Sequence, residues 1–190
     1  KTSVATFIAP TRIVSKDGSV INTKSGTYNL KTGEAIFYDR TSYSDSAYFL
    51  IGDKIAYDEK TGILQMEGKA KMVDSINKVT VLANIIYVDK QKSTFLATRK
   101  PVMIFYRDSD STYIAADTLF SGLRKYDSLQ RKIITQADTL KKVTSISTQT
   151  KDTSIRYFLA FHNVRIFNDS LQAVSDSLHY STSDSTFKLF

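Results

Sequence analysis

Four positions in this chain carry a carboxylate or carboxamide at a recurring place, and they are the first candidates for chemistry. Asp53, Asn84, Asp117 and Asp176 each follow a small residue and stand two before an apolar one. The four tetrads are Gly52-Asp53-Lys54-Ile55, Ala83-Asn84-Ile85-Ile86, Ala116-Asp117-Thr118-Leu119 and Ser175-Asp176-Ser177-Leu178. A column of acids on stacked strands could serve as a catalytic ladder that cleaves an acidic polysaccharide. The recurrence argues the other way, because catalysis needs one constellation whereas architecture needs the same device in every repeat. The four are therefore read as structural turn positions whose side chains bond nearby backbone donors.

Other reactive groups are few. His162 and His179 are the two histidines, each in a strand context and neither at a metal-ligand spacing. Asp108-Ser109-Asp110-Ser111 lacks the glycine and the distal glutamate of a calcium loop and reads as a polar hairpin turn. The chain has no cysteine, so it can hold no disulfide and run no thiolate chemistry. Neither a glycine-rich phosphate loop nor a nucleophile elbow is present. The chain is not read as an enzyme, and no catalytic residue, metal or cofactor is expected.

The elements that carry these positions repeat. The Asp or Asn advances by 31 residues (53 to 84), by 33 (84 to 117) and by 59 (117 to 176), the last close to two periods. A period of roughly 20–50 residues marks a repeat architecture. A weaker copy stands upstream, with Lys24 in place of the acid and Gly26 in place of the apolar residue, as suits a terminal repeat. The long interval is assigned to a polar insertion at about 121–154 in one hairpin, where a short helix is allowed in 120–142. Ala137-Asp138-Thr139-Leu140 in that stretch is read as a chance echo of the tetrad.

Each repeat reads as two strands around a tight turn. Apolar side chains alternate through Ile51-Asp53-Ile55-Tyr57 and Leu64-Met66-Ala70-Met72, while Lys54, Gln65, Glu67, Lys69 and Lys71 take the watered face. Asp58-Glu59-Lys60-Thr61-Gly62 and Asn29-Leu30-Lys31-Thr32-Gly33 supply the turns, Asp or Asn bonding its own backbone and Gly giving positive φ. Carried along the chain, the alternation marks Phe37, Ile51, Ile55, Leu64, Met66, Leu82 and Ile86 as interior. Further on it marks Phe95, Leu119, Phe158, Leu178, Phe187 and Leu189, with Ala35, Ala97, Ala160 and Val174 among the smaller residues. The expected fold is all-β, an elongated stack of antiparallel strand pairs, whose apolar face builds either a closed core or a groove.

Composition narrows the partners. At 190 residues the chain suits one domain over 1–190, able to bury roughly 70% of its unfolded surface. The net charge of +7 favours anionic partners. The basic residues are scattered singly along strands, however, without the clustered aromatics of a nucleic-acid site, so nucleic acid is not expected. No apolar run reaches the ~20 residues of a membrane-spanning helix, and the start lacks the pattern of a signal peptide. Without an initiator Met and with strand pattern up to Phe187-Lys188-Leu189-Phe190, both ends read as cuts in a longer protein.

The tetrads with their partner strands resemble the OstA-like repeat, as in Gly52-Asp53-Lys54-Ile55-Ala56-Tyr57-Asp58 followed by Leu64-Gln65-Met66-Glu67-Gly68-Lys69-Ala70. The order Tyr113 to Phe120, a polar insertion, Ala160 to Phe167, then Leu171 to Leu178 is most similar to the Bacteroidetes branch, and the likeness covers about residues 14–190. That family holds the periplasmic bridge of lipopolysaccharide transport and the N-terminal domain of the outer-membrane translocon. The resemblance implies a twisted β-jellyroll open along one side and a periplasmic setting, in a bridge protein or in part of an outer-membrane-associated one. It implies lipid A acyl chains as cargo in a groove lined by the thirteen large interior residues named above. It also implies other jellyroll modules as partners, joined edge to edge, and head-to-tail self-association.

Overall fold

The computed structural model describes residues 3–107, 110–126 and 153–190, which form seventeen β-strands paired antiparallel, with no helix among the described residues. In chain order they begin β1 (Val4–Phe7), β2 (Thr11–Val14), β3 (Val20–Thr23), β4 (Ser25–Asn29), β5 (Glu34–Tyr38) and β6 (Thr41–Ser44). Next come β7 (Tyr48–Gly52), β8 (Lys54–Asp58), β9 (Ile63–Asp74), β10 (Val79–Asp89), β11 (Thr94–Thr98) and β12 (Val102–Arg107). The chain finishes with β13 (Asp110–Ala115), β14 (Thr118–Tyr126), β15 (Thr153–Phe167), β16 (Gln172–Ser181) and β17 (Thr186–Leu189).

Successive hairpins alternate between two pairing series. Layer one runs β1, β4, β5, β8, the first part of β9, the second part of β10, β11, β14, the first part of β15, the second part of β16, then β17. Layer two runs β2, β3, β6, β7, the rest of β9, the start of β10, β12, β13, the rest of β15 and the start of β16. Because β10 and β15 serve both layers, β10, β11, β14, β15, β13 and β12 close into a hydrogen-bonded ring. One buried apolar cluster fills the space between the layers, and Phe105 of layer two meets Phe158 of layer one edge to face at 5.0 Å.

The chain changes layer at two kinds of corner. From layer two to layer one it turns at a single residue: Lys24, Asp53, Asn84, Asp117 or Asp176. From layer one to layer two it turns at a pair: Asp39-Arg40, Gly68-Lys69, Arg99-Lys100 and His162-Asn163, every one of these residues at positive φ. A pair preserves the alternation of side chains across the corner, whereas a single residue reverses it. Phe37 and Tyr43 are both buried on either side of a pair; Leu50 and Ile55 are both buried on either side of Asp53.

That reversal corrects three interior assignments, and a fourth residue, Leu189, lies on the interior side opposite Leu178 but is exposed on the edge strand. Ile51 and Leu82 lie opposite Lys71 on the outer face of layer two, and Leu50 and Val81 take the interior instead. Val174, just before the Asp176 corner, is 80% exposed, and Leu189 on the last strand is 42% exposed. In each of the first three cases the period-2 pattern was carried through a corner that shifts it by one.

The hairpin tips follow their turn chemistry. Asp58 Oδ1 accepts from the N–H groups of Lys60 and Thr61 at 2.9 and 3.3 Å, and Gly62 follows at φ 69°. Asn29 does the same for Lys31 and Thr32. Adjacent tips in layer one are stitched by Glu59 N–H to Gly33 O and Lys90 N–H to Gly62 O. Most of the insertion expected at 121–154, the Asp138 echo and most of the 120–142 helix lie outside the described residues. At its margins residues 120–126 and 153–154 are strand, so the excursion begins later and ends earlier than the sequence suggested. The 59-residue step contains one strand pair in each layer, β14 with β15 and β15 with β16, so it holds a single repeat.

Candidate functional site

The recurring acids are corner devices, each met by a residue of a paired corner. Asp53 Oδ1 accepts from Arg40 Nη1 at 3.1 Å, and the same nitrogen donates to Lys69 O at 2.9 Å. Asp53 N–H donates to Gly68 O at 2.9 Å. Asp117 Oδ2 accepts from Asn163 Nδ2 at 2.8 Å, and Asp176 Oδ1 lies 3.4 Å from His162 Nδ1. Asn84 N–H meets Arg99 O at 3.4 Å. The carboxylates of Asp53, Asp117 and Asp176 thus meet corner side chains rather than the backbone donors anticipated for them, while Asn84 is tied to its corner through its backbone. His179 stacks on Tyr157 on the outer face of layer one, where it pairs with Leu159 rather than at the corner that holds His162.

The expected groove residues divide sharply. Phe37, Ile55, Leu64, Met66, Ile86, Phe95, Leu119, Phe158 and Leu178 are at most 5% exposed and belong to the shared core. Phe187 is half-buried against that core. Phe37 also lines an open apolar cleft. This cleft of about 510 Å³ lies between the layers at the end formed by β1 and β2, bounded by Phe7, Ile13, Ile21, Tyr28, Phe37 and Tyr57. β1 pairs with β4 and β2 pairs with β3, but no ladder joins β1 to β2, which leaves this end unclosed.

The cleft's rim is polar. Lys16 and Asp17 of the β2–β3 turn and Glu59 of the β8–β9 turn border it. Glu59 accepts the Tyr28 hydroxyl hydrogen, and this bond, with partial burial and the carboxylate charge, pushes the Tyr28 phenol up to about 12. Gly26 stands where it does because Phe37 fills its space: a β-carbon there would meet Ile36 O at 2.5 Å and Phe37 Cδ1 at 2.8 Å. Phe7, opposite Gly26 on the next strand, covers the site with its ring 6.0 Å from that of Phe37.

Further along the side of the hairpin tips, polar contacts bridge the layers. Lys90 of layer one donates to the Tyr43 hydroxyl of layer two, sits 4.9 Å over the Tyr43 ring, and lies 3.3 Å from Asp45 Oδ2. Burial pulls the Lys90 ammonium down, but Tyr43 and Asp45 outweigh it and hold it above its usual value. Burial likewise opposes ionisation of Asp45; the Ala47 and Tyr48 amides, the Tyr43 hydroxyl and Lys90 prevail and keep it below the ordinary carboxylate range. A second bridge uses buried Arg156, which donates to Ser93 O and Ser121 Oγ at 3.1 Å each and interacts with Tyr48 of layer two. Each bridge occurs once among the described residues, so it left no periodic trace in the sequence.

Comparison with protein-family models returns no match, and comparison with curated proteins returns none either.

Proposed function

We propose that the chain is a non-catalytic lipid-carrying module that binds lipopolysaccharide through its lipid A acyl chains and passes it across the periplasm. The observation that carries this reading is the apolar cleft of about 510 Å³ at the unclosed β1–β2 end, walled by aromatic and aliphatic side chains from both layers. Burying about ten methylenes there is worth on the order of 8 kcal/mol before the entropic costs of binding. Hydrophobic burial therefore dominates, and Lys16 at the rim suits a phosphate. In this reading the two layers are a twisted OstA-type β-jellyroll and the cleft is one end of its conduit. The unpaired edges of β1 and β17 join neighbouring modules head to tail.

A photocrosslinking residue at Ile13 tests the proposal. Crosslinks to lipopolysaccharide in cells, absent from a control at Gln65 on the outer face, support it; no crosslink at Ile13 or at Tyr57 sinks it. A structural β-module with a closed core is the second reading. It is favoured by the near-complete burial of nine of the thirteen groove residues and by the Lys90 bridge. Crosslinker at Met66 and Phe95 reports on that alternative, since a core closed throughout admits no lipid there.

A further inference from the structure

The two outer faces differ in charge. Layer one exposes both signs: Glu34, Asp58, Glu67 and Asp89 share its outer rows with Lys54 and Lys188, and Lys54 lies 3.7 Å from Glu67. Layer two is different. Following its register from β2 to β16, the outward positions hold three cations, Arg12, Lys71 and Arg165, and no carboxylate. The rest is largely apolar or aromatic, with Val14, Phe49, Leu82, Tyr113, Phe167 and Val174 between 39% and 80% exposed. At the β2 end this face runs into a cleft of about 350 Å³ lined by Arg12, Lys24 and Arg40 together with Thr11, Asn22 and Ser42. Arg40 is shared with Asp53; Arg12 and Lys24 have no ion-pair partner among the described residues.

We infer that the outer face of layer two docks on an anionic lipid surface, the Arg12–Lys24–Arg40 cleft receiving a headgroup phosphate. A second copy of the same face is excluded as occupant by charge, since two-fold pairing sets cations against cations with no acid between them. The occupant must bring anions and accept apolar side chains. An acidic lipid interface does both, and the phenols of Tyr106 and Tyr113 on this face suit the headgroup level. The surface meets the apolar end cleft at Val14, its Arg12–Lys24–Arg40 cleft is lined by other residues, and the inference stands whether or not the apolar cleft carries lipid.

Co-sedimentation of the 190-residue chain with phosphatidylcholine vesicles, with and without phosphatidylglycerol, tests the assignment. Binding is expected only with the anionic lipid and should fall as salt rises. Arg12→Glu with Lys24→Glu should weaken it at least about tenfold. Phe167→Ser with Val174→Ser, both at exposed positions, should also weaken it while leaving the circular-dichroism spectrum intact. No binding by the wild type overturns the inference, as does equal binding to neutral vesicles or a charge-reversed variant that binds normally. Capture by an acidic protein without any vesicle binding overturns it too.

Discussion

The carboxylate of Asp53 occupies the space that a side chain on Gly68 would need. A β-carbon at Gly68 would lie 2.7 Å from Asp53 Oδ2, and the glycine sits at φ 74°. Corner acid and corner glycine are thus one packed unit, joined also by the Asp53 N–H to Gly68 O bond. Gly68→Ala is expected to cost roughly 2 kcal/mol or more, from the left-handed backbone and the clash together. Gly18→Ala, at φ 83° with nothing within 4 Å, should cost only about 1 kcal/mol. Chemical denaturation of both variants checks this, and equal losses would show that the Asp53 contact carries no weight.

Corner parity predicts opposite outcomes for adjacent residues. Val81 is fully buried, and Val81→Asp should lose about 3 kcal/mol or more by placing an unpaired carboxylate in the core. Leu82→Lys, one residue on and facing out, should stay within about ±0.5 kcal/mol. Matching melting temperatures would refute the reversal at the single-residue corners.

Lys90→Met should destabilise by about 1–2 kcal/mol, because Asp45 and Tyr43 lose a charged donor between the layers. The sign with pH follows from the directions. Asp45 is held below its ordinary value, so its contribution is complete above that value and is lost as pH falls through the depressed one. Lys90 is held above its ordinary value, so its contribution is present below that value and is lost as pH rises past it. Stability against pH for Lys90→Met should therefore be flatter than wild type at the alkaline extreme and only slightly so at the acid one, where the Ala47 and Tyr48 amides still hold Asp45 down. A parallel curve would count against the bridge.

Glu59→Gln should bring the Tyr28 phenol down from about 12 toward 10, since the carboxylate is its main perturber. Ultraviolet titration of phenolate, with Tyr28→Phe subtracted to isolate this tyrosine among the others, gives the measurement. No change would place the cause elsewhere.

Leu189→Pro should weaken head-to-tail association without harming the fold. Ser177 and Phe190 exchange backbone bonds at 3.2 and 3.0 Å, so the next pair, Leu178 and Leu189, is a non-bonded one and the Leu189 N–H points to the free edge of β17. Proline there removes a donor that serves no partner within the chain. Sedimentation at high micromolar concentration should show wild-type oligomers and a variant shifted toward monomer. A strict wild-type monomer would exclude the edge contact.

Much of the architecture was legible in local sequence because it rests on local physics. Strand alternation follows from the two-residue pleat, and Asn29, Asp58, Gly33 and Gly62 announce their tips through bonds reaching only two or three residues. The all-β character and the recurring corner at Asp53, Asn84, Asp117 and Asp176 needed nothing more than spacing. What tertiary structure decided was every relation between hairpins. Which face of Ile51, Leu82 or Val174 meets the core depends on whether a corner uses one residue or two, and that count is set by how the chain passes between layers. The Lys90–Asp45 bridge, the cleft between β1 and β2 and the carboxylate-free face of layer two join residues from different repeats. No periodic signal marks them, because they arise where the stack ends or is crossed, and there the repeats cease to be equivalent.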